Sequence, residues 1–195
     1  RLRPLQPRLH SPPACRFPWR PAHDSFGSMQ PMQDTQGGHY GGEPPSAAHE
    51  IAVLLPEGRL QGLVSRITHY RETRCGHFRQ RESASLFCPL IISFGEPFLI
   101  ALGRDPHPLD RHASFAAGLY AGPVMIESSG ASHCIQIDFT PLGARAFFGL
   151  PMHLLADRML AVDDVLGHEA NRLRERLGNT QDIGLRLAIA QDHVE

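Results

Sequence analysis

Short apolar runs separated by turn residues fill the middle of the chain. Residues 90–94 (LIISF) and 98–102 (FLIAL) flank Gly95-Glu96-Pro97, an insert of hairpin length, and predict two strands that pair with each other. Residues 124–128 (VMIES) and 133–139 (HCIQIDF), joined by a short Ser/Gly-rich turn, predict a second pair. The middle of the chain is therefore predicted to form antiparallel β-structure.

The clearest predicted strand covers residues 133–139. Its apolar and polar residues alternate with a period of two, in the order Ile135, Gln136, Ile137, Asp138 and Phe139. This period predicts a strand with one buried face. Structure is expected to begin near Ile51, and residues 60–70 place Leu63, Val64 and Ile67 on one helical face without fixing the type of that element.

The C-terminal third has helical periodicity instead. Residues 142–148 predict a short helix that ends at Gly149. A longer helix is predicted to begin at a cap formed by Asp163 or Asp164 and to end at Gly178. Thr180 is predicted to cap the last helix. Apolar residues recur at i, i+4, i+7 and i+11 in both long helices, at Leu166, Ala170, Leu173 and Leu177 and at Ile183, Leu187, Ala190 and Val194. Because the chain ends within the last helix, we expect its apolar stripe to lack a cover and the natural product to continue past Glu195.

The first 48 residues have a different composition. Residues 1–28 are rich in Arg, Pro and His, and residues 29–48 are rich in Gly, Pro and Gln, so both are predicted to be disordered. The chain opens with Arg1, while Met29 follows later, which indicates that residues 1–28 need not be translated natively. Residues 49–195 are predicted to form one domain.

Composition excludes several classes of protein. The content of hydrophobic residues, 42%, is ordinary for a globular protein, and no apolar run approaches the roughly 20 residues of a membrane helix. The formal charge of −1 provides no general attraction for a phosphate backbone. We therefore expect no membrane contact and no DNA binding by this chain alone.

Twelve histidines raise the possibility of a metal site. The densest group is His107-Pro-Leu-Asp110-Arg-His112, but HxH and HExxH patterns are absent and the flanking prolines predict a loop. A cupin-like, metal-dependent enzyme with ligands such as His107, His112 and His133 remains the alternative interpretation. Our preferred prediction contains no metal ligand.

Other catalytic and cofactor motifs are missing as well. The sequence has no GxSxG elbow, no GxGxxG loop, no Walker loop and no CxxC pair. An Arg-rich stretch at residues 71–81 is interrupted by Glu72, and we interpret it as a solvated surface loop. We predict no catalytic, cofactor-binding or metal-binding residue and no enzymatic activity.

The segment of residues 135–177 resembles the sensor domain of AraC/XylS-family transcription regulators. In that family a strand ends in Phe, then come Pro and Gly, a short helix, a Val-Asp-Asp cap and a leucine-bearing helix. The matching parts here are Phe139, Pro141 and Gly143, residues 144–148, Val162-Asp163-Asp164, and residues 166–177. A weaker match upstream extends the resemblance to about residues 50–195.

The resemblance implies an α+β fold, with a cupin-like β-sandwich or barrel followed by helices that form a homodimer contact. It also implies a small-molecule effector, expected inside the β-structure, and a cytoplasmic location. DNA would be bound only by a C-terminal domain with two helix-turn-helix units, for which this chain has no counterpart. A truncated regulator that acts through heterodimers is a further alternative. Effector-binding residues are not predicted.

Overall fold

The structure, a computed structural model, describes residues 49–195. Within this range ten strands form two antiparallel sheets, and four helices lie after β9, so the predicted α+β class is confirmed. The strands are β1 (His49–Leu54), β2 (Val64–Glu72), β3 (Phe78–Glu82), β4 (Cys88–Ser93), β5 (Phe98–Leu102), β6 (Arg111–His112), β7 (Phe115–Ala117), β8 (Val124–Ser128), β9 (His133–Phe139) and β10 (Met159–Ala161). The helices are α1 (Pro141–Phe148), α2 (Val162–Leu166), α3 (His168–Asn179) and α4 (Ile183–Val194).

The first sheet has six strands in the order β1-β2-β9-β4-β7-β10, and the second has four in the order β3-β8-β5-β6. β9 lies near the centre of the six-stranded sheet, with β2 on one side and β4 on the other. Both of its faces are covered, because Ile135 and Ile137 are fully buried on one face and Cys134 and Asp138 are almost fully buried on the other. The strand is confirmed, but the prediction of only one buried face is wrong.

The two predicted hairpins are wrong in their pairing. β4 and β8 lie in different sheets from the strands that follow them in sequence, β5 and β9. The turn after β4 bonds to the first residue of β9, since the amides of Phe94 and Gly95 donate to the carbonyl of His133 at 2.9 and 3.1 Å. A Cβ atom on Gly95 would lie 2.5 Å from the His133 nitrogen, so this close approach depends on glycine. Each turn therefore carries the chain from one sheet to the other.

Most of the segment of residues 60–70 is extended, since residues 64–70 belong to β2. A short 3₁₀ turn (Gly58–Leu60) leads into β2, which pairs with β1 and β9. Ile67 is fully buried between the sheet and the helices, whereas Thr68 and Tyr70 lie on the opposite face. Alternation in a strand thus explains the apolar residues that also fitted a helical face.

Helix α1 follows β9 and lies close to the turn before β2. Thr140 caps it by accepting a hydrogen bond from the Gly143 amide at 3.1 Å, and Gly149, with φ of 63°, ends it in the left-handed conformation. The predicted short helix is therefore confirmed. Gly143 touches the backbone of Leu63, because a Cβ atom at residue 143 would lie 2.0 Å from the Leu63 carbonyl oxygen.

The long helix predicted after residue 162 is divided in two. Gly167, with φ of 55° and ψ of −134°, separates α2 from α3. Ala161 is the N-cap of α2, and Asp163 and Asp164 lie in the first turn, where their charge interacts favourably with the helix dipole. Gly178 does not stop α3 but lies inside its last turn. The predicted cap and stop positions here are therefore wrong.

The predicted cap of α4 is wrong by two residues. Asp182 Oδ1 accepts from the Leu185 amide at 2.7 Å and caps α4. Thr180 instead follows α3, where its hydroxyl donates to the Arg176 carbonyl at 2.8 Å. The side chain of Thr180 therefore satisfies the end of one helix rather than the start of the next.

The apolar stripes of α3 and α4 are covered by their own six-stranded sheet. α4 packs against β1, β2 and β9, and α3 packs against β4. The stripe residues that are buried in the main core are Ala170, Leu173, Leu177, Leu187, Ala190 and Val194. The expected uncovered stripe is therefore absent from residues 49–195, since the sheet provides the cover.

A smaller core fills the space between the two sheets. It is formed by Ile91, Phe98, Ile100, Phe115 and Cys134, with further apolar side chains packed around them. Among residues 49–195 no helix has the length and apolar character needed to cross a bilayer. The disorder predicted for residues 1–48 lies outside the described residues.

Candidate functional site

A row of polar side chains crosses the six-stranded sheet on the face that carries the helices. The register pairs Glu50 of β1 with Arg71 of β2, and Arg71 with His133 of β9. Phe94 follows β4 directly, and its ring lies 4.2 Å from the His133 ring. These four residues form the sheet wall of an open pocket of about 280 Å³.

The opposite wall of this pocket comes from the C-terminal helices. Gly178 lies in the last turn of α3, Gln181 lies in the connection, and Ile183 and Arg186 lie in the first turns of α4. We call these four residues the helix wall and the whole cavity the sheet–helix pocket. Anything that fills the pocket contacts both the β-sandwich and the terminal helices.

Arg186 is the most deeply buried charged group of this region, with 5% of its surface exposed. Its Nε donates to the Leu177 carbonyl at 3.0 Å, and its guanidinium lies over the Phe94 ring, 5.1 Å from the centroid. Its Nη1 lies 3.2 Å from Nε2 of His69 and 3.1 Å from Nε2 of His133. The side chain therefore joins α3, α4 and the sheet.

The two imidazoles also contact each other. The Nε2 atoms of His69 and His133 are 2.9 Å apart, so one of them must carry a proton, because two facing lone pairs repel. Nδ1 of His69 is buried without a partner in the described part of the chain, and an orphaned acceptor is tolerated better than an orphaned donor. We therefore assign the Nε2–H tautomer to His69 and the Nδ1–H tautomer to His133.

Burial and the neighbouring guanidinium keep both imidazoles neutral. Burial, followed by the positive charge of Arg186, lowers the pKa of His69 below its ordinary value of 6.5. The same two causes, with smaller effects of His69 and Arg71, lower the pKa of His133 to about 3. The site therefore holds two neutral imidazoles beside one buried cation at physiological pH.

We expect this arrangement to make the fold sensitive to acid. The unfolded chain takes up protons near pH 6.5 that folded His69 and His133 accept only at lower pH, so stability is full above pH 6.5 and falls below it. Each histidine that stays neutral in the folded state lowers the free energy of unfolding by at most about 1.4 kcal/mol for each pH unit of acidification. The loss is smaller for His133, because its side chain is partly exposed to solvent. The free energy of unfolding, measured in urea between pH 7.5 and 5, should decline accordingly.

Matched variants isolate the contribution of His133. His133→Gln should flatten this pH dependence, while His168→Gln, at an exposed position in α3, should leave it unchanged. Burial also lowers the pKa values of His112 and His193, so part of the decline should persist in His133→Gln. An identical slope in His133→Gln and the unmodified chain would contradict the assignment.

A second buried polar group lies on the other face of the sheet. Glu72 is 6% exposed, and its carboxylate accepts hydrogen bonds from the Ser132 amide at 2.8 Å, the Tyr70 hydroxyl at 3.2 Å and the Ser128 hydroxyl. Burial and the Glu72 carboxylate raise the pKa of Tyr70 above its ordinary range. The carboxylate therefore ties β2 to β8 and to the turn before β9.

Glu72→Gln should destabilise the chain, because the new amide presents a donor to groups that already donate. Removal of one buried acceptor costs about 1–3 kcal/mol. Urea unfolding should show this loss at pH 7, with Glu57→Gln, an exposed substitution of the same type, as the control. A loss below 0.5 kcal/mol, the range of ordinary surface substitutions, would show that the carboxylate is not needed.

The histidines of the metal alternative do not meet. Asp110 accepts from the His107 amide and from both Nη atoms of Arg104, which places this group in a self-satisfied turn. His112 packs against Phe115, and His133 lies on the helix side of the other sheet. No group of three or more metal-binding side chains occurs among residues 49–195. At the His69–His133 pair, the guanidinium of Arg186 also opposes a metal cation.

Comparison with known proteins adds one finding. Residues 52–161 match the family described as Domain of unknown function (DUF6597), which is more than half of the 195 residues. The chain belongs to this family. No curated protein and no solved structure matches the chain.

The DUF6597 match ends where the last strand ends, at residue 161. Arg71, Phe94 and His133 of the sheet wall lie inside the matched residues, and Glu50 lies just before them. The whole helix wall follows the match. The sheet–helix pocket is therefore the junction between the DUF6597 domain and the segment that comes after it.

Proposed function

We propose that residues 49–195 form the effector-sensing part of an AraC-type transcription regulator. In this proposal the DUF6597 domain and the helices after it bind a small-molecule effector, and DNA is bound by a helix-turn-helix domain beyond them. The resemblance of residues 135–177 to AraC-type sensor domains supports the class. The protein would act in the cytoplasm and would have no enzymatic activity.

The observation that carries the proposal is the position of the sheet–helix pocket. One wall belongs to the six-stranded sheet and the other to α3, α4 and their connection. The space between the two sheets, where an effector was expected, is packed with apolar side chains. A ligand between the sheet and the helices shifts the helices if it binds one of their arrangements more tightly than another.

Hydrogen exchange tests the coupling directly. The purified chain is screened by thermal shift against a panel of bacterial metabolites, and each compound that raises Tm is examined by hydrogen exchange with mass spectrometry. We expect slower exchange both around residue 133 and in residues 178–187. Protection confined to the sheet, or placed away from both walls, would contradict the proposal.

A pocket-blocking variant provides the matched control. A Cβ atom on Gly178 would lie 3.5 Å from the Phe94 Cβ, so alanine fits there, whereas the longer side chain of Gly178→Leu should enter the pocket. We expect Gly178→Leu to abolish the thermal shift. Ala188→Leu, at an exposed position on α4 outside the pocket, should retain it.

The DNA-binding half of the proposal is tested on the natural gene product that contains these residues. That product should read on into two helix-turn-helix patterns and should enrich specific genomic fragments in a pull-down. Compounds identified by thermal shift should change the enrichment. Absence of both the patterns and the enrichment would overturn the regulator assignment while leaving ligand binding untouched.

The proposal includes a homodimer formed through the terminal helices, but with a different contact surface from the one that the sequence predicts. Since the inner stripes face the sheet, the contact would use the outer face of α4, where Leu185 is 54% exposed. Light scattering on the purified chain should give a dimer that Leu185→Asp dissociates. A chain that is monomeric at high concentration would exclude this contact, and mixing with a full-length regulator would then test the heterodimer alternative.

A further inference from the structure

The sheet–helix pocket has an unbalanced charge. Arg71 and Arg186 contribute two positive charges and Glu50 contributes one negative charge, which leaves its walls with a formal charge of +1. Glu50 lies 3.9 Å from Arg71, at the limit of an ion pair. Arg186 takes part in none of the ion pairs found within residues 49–195. A buried guanidinium without a carboxylate partner is uncommon, because the cost of its desolvation is usually offset by an anion.

The hydrogen-bonding groups of the pocket are mainly donors. Nη2 of Arg186 has no hydrogen-bond partner within residues 49–195, although Nε and Nη1 of the same side chain are engaged. The Nδ1–H of His133 is likewise without a partner in that range. Arg71 adds a third, half-exposed donor on the sheet wall. Two donors without a protein acceptor and a third at the limit of an ion pair line the same pocket, and donors of this kind fit the oxygens of an anion.

We propose that the sheet–helix pocket binds the carboxylate of a small monocarboxylate, with Arg186, Arg71 and His133 as its donors. A single negative charge neutralises the formal charge of +1, whereas a phosphate dianion would reverse it. The walls are mostly polar, with Phe94 and Ile183 as their apolar side chains, so the remainder of the ligand is expected to be short. This inference deepens the proposed function, since it names the chemical class of the effector and rests on the same pocket.

The test compares acids with their uncharged counterparts on the full 195-residue chain. The probes are acetate, butanoate and hexanoate, the corresponding primary amides, and inorganic phosphate, with affinities measured by titration calorimetry at low ionic strength. We expect at least one acid to bind about tenfold or more tightly than its amide, and more tightly than phosphate. Binding of the amide with equal affinity, tighter binding of phosphate, or no binding by any acid would overturn the inference.

Two exposed residues of the sheet wall allow substitutions that leave the fold intact. Arg71→Gln should weaken binding of the acid about tenfold, and Glu50→Gln should strengthen it severalfold, because the first removes an attractive charge and the second a repulsive one. Arg81→Gln and Glu57→Gln make the same charge changes at exposed positions outside the pocket and should have effects below twofold. Equal effects of the pocket variants and their controls would assign the binding to overall charge and overturn the site.

The two proposals fail in different ways. If an acid binds with the expected charge dependence but the helices exchange as before, the carboxylate site stands and the sensing function falls. If only an uncharged metabolite binds and protects both walls, the sensing function stands and the carboxylate site falls.

Discussion

Arg186→Ala is expected to lower the free energy of unfolding by about 3 kcal/mol. The substitution leaves the Leu177 carbonyl without its side-chain donor, removes one of the two donors to Nε2 of His133, and opens a cavity beside Phe94. Arg186→Met fills much of the space and relieves the cost of burying a charge, so its loss should be about half as large. Urea unfolding followed by circular dichroism measures both.

Arg176→Ala is the control for this prediction, because Arg176 is an exposed arginine on α3 whose side chain can be removed without opening the core. Its effect should stay within about 0.5 kcal/mol. A loss below 1 kcal/mol in Arg186→Ala would show that the buried guanidinium does not hold α3 and α4 against the sheet. The arginine at residue 186 would then serve a purpose other than stability.

Gly143→Ala is expected to be strongly destabilising although it adds only one methyl group. The added Cβ would lie 2.0 Å from the Leu63 carbonyl oxygen and 2.7 Å from its carbon, and a backbone held by β2 on one side and α1 on the other cannot yield easily. Gly→Ala inside a helix normally stabilises by about 0.5–1 kcal/mol. Here we expect a loss of about 3 kcal/mol or failure to accumulate as folded protein.

Gly178→Ala separates the clash from helix propensity. Gly178 is also a helical glycine, but its added Cβ would meet only Phe94, at an ordinary 3.5 Å. We expect Tm to rise slightly in Gly178→Ala and to fall by several degrees or more in Gly143→Ala, as measured by differential scanning calorimetry. A stable Gly143→Ala variant would mean that α1 does not rest on Leu63.

The local sequence pattern predicts which segments form strands and helices better than it predicts which strands pair with each other. The strand at residues 133–139 and the end of α1 at Gly149 depend on neighbouring residues, and the structure contains both, although the strand is buried on two faces rather than one. The pairing of residues 90–94 with 98–102 was wrong because a turn of hairpin length can also carry the chain between sheets. What decides between these outcomes is the bonding of Phe94 and Gly95 to His133, a contact across 38 residues or more that no local pattern contains.

The candidate site is not predicted by the sequence either, because it also depends on contacts between distant residues. The sequence pattern indicates a solvated loop for Arg71 and offers His133 as a ligand of the alternative metal site, and it distinguishes neither His69 nor Arg186. The site depends on the register of three strands, which places Glu50, Arg71 and His133 in one row. One signal was present: Arg186 lies three residues after Ile183 and four before Ala190, so it shares the apolar face of a helix that packs on a sheet.

The turns that carry the chain between the sheets also bear on how quickly the protein folds. Among residues 49–195, only β1 with β2 and β5 with β6 pair as neighbours in sequence, and every other pairing joins strands that have at least two further strands between them in the chain. Closing such distant pairings costs entropy before their contacts form, which places refolding in the range of milliseconds to seconds. During that interval the edges of β2 and β4 that will face β9 stay unpaired until β9 inserts between them. We therefore expect insertion of this seven-residue strand to limit the rate at which the six-stranded sheet assembles.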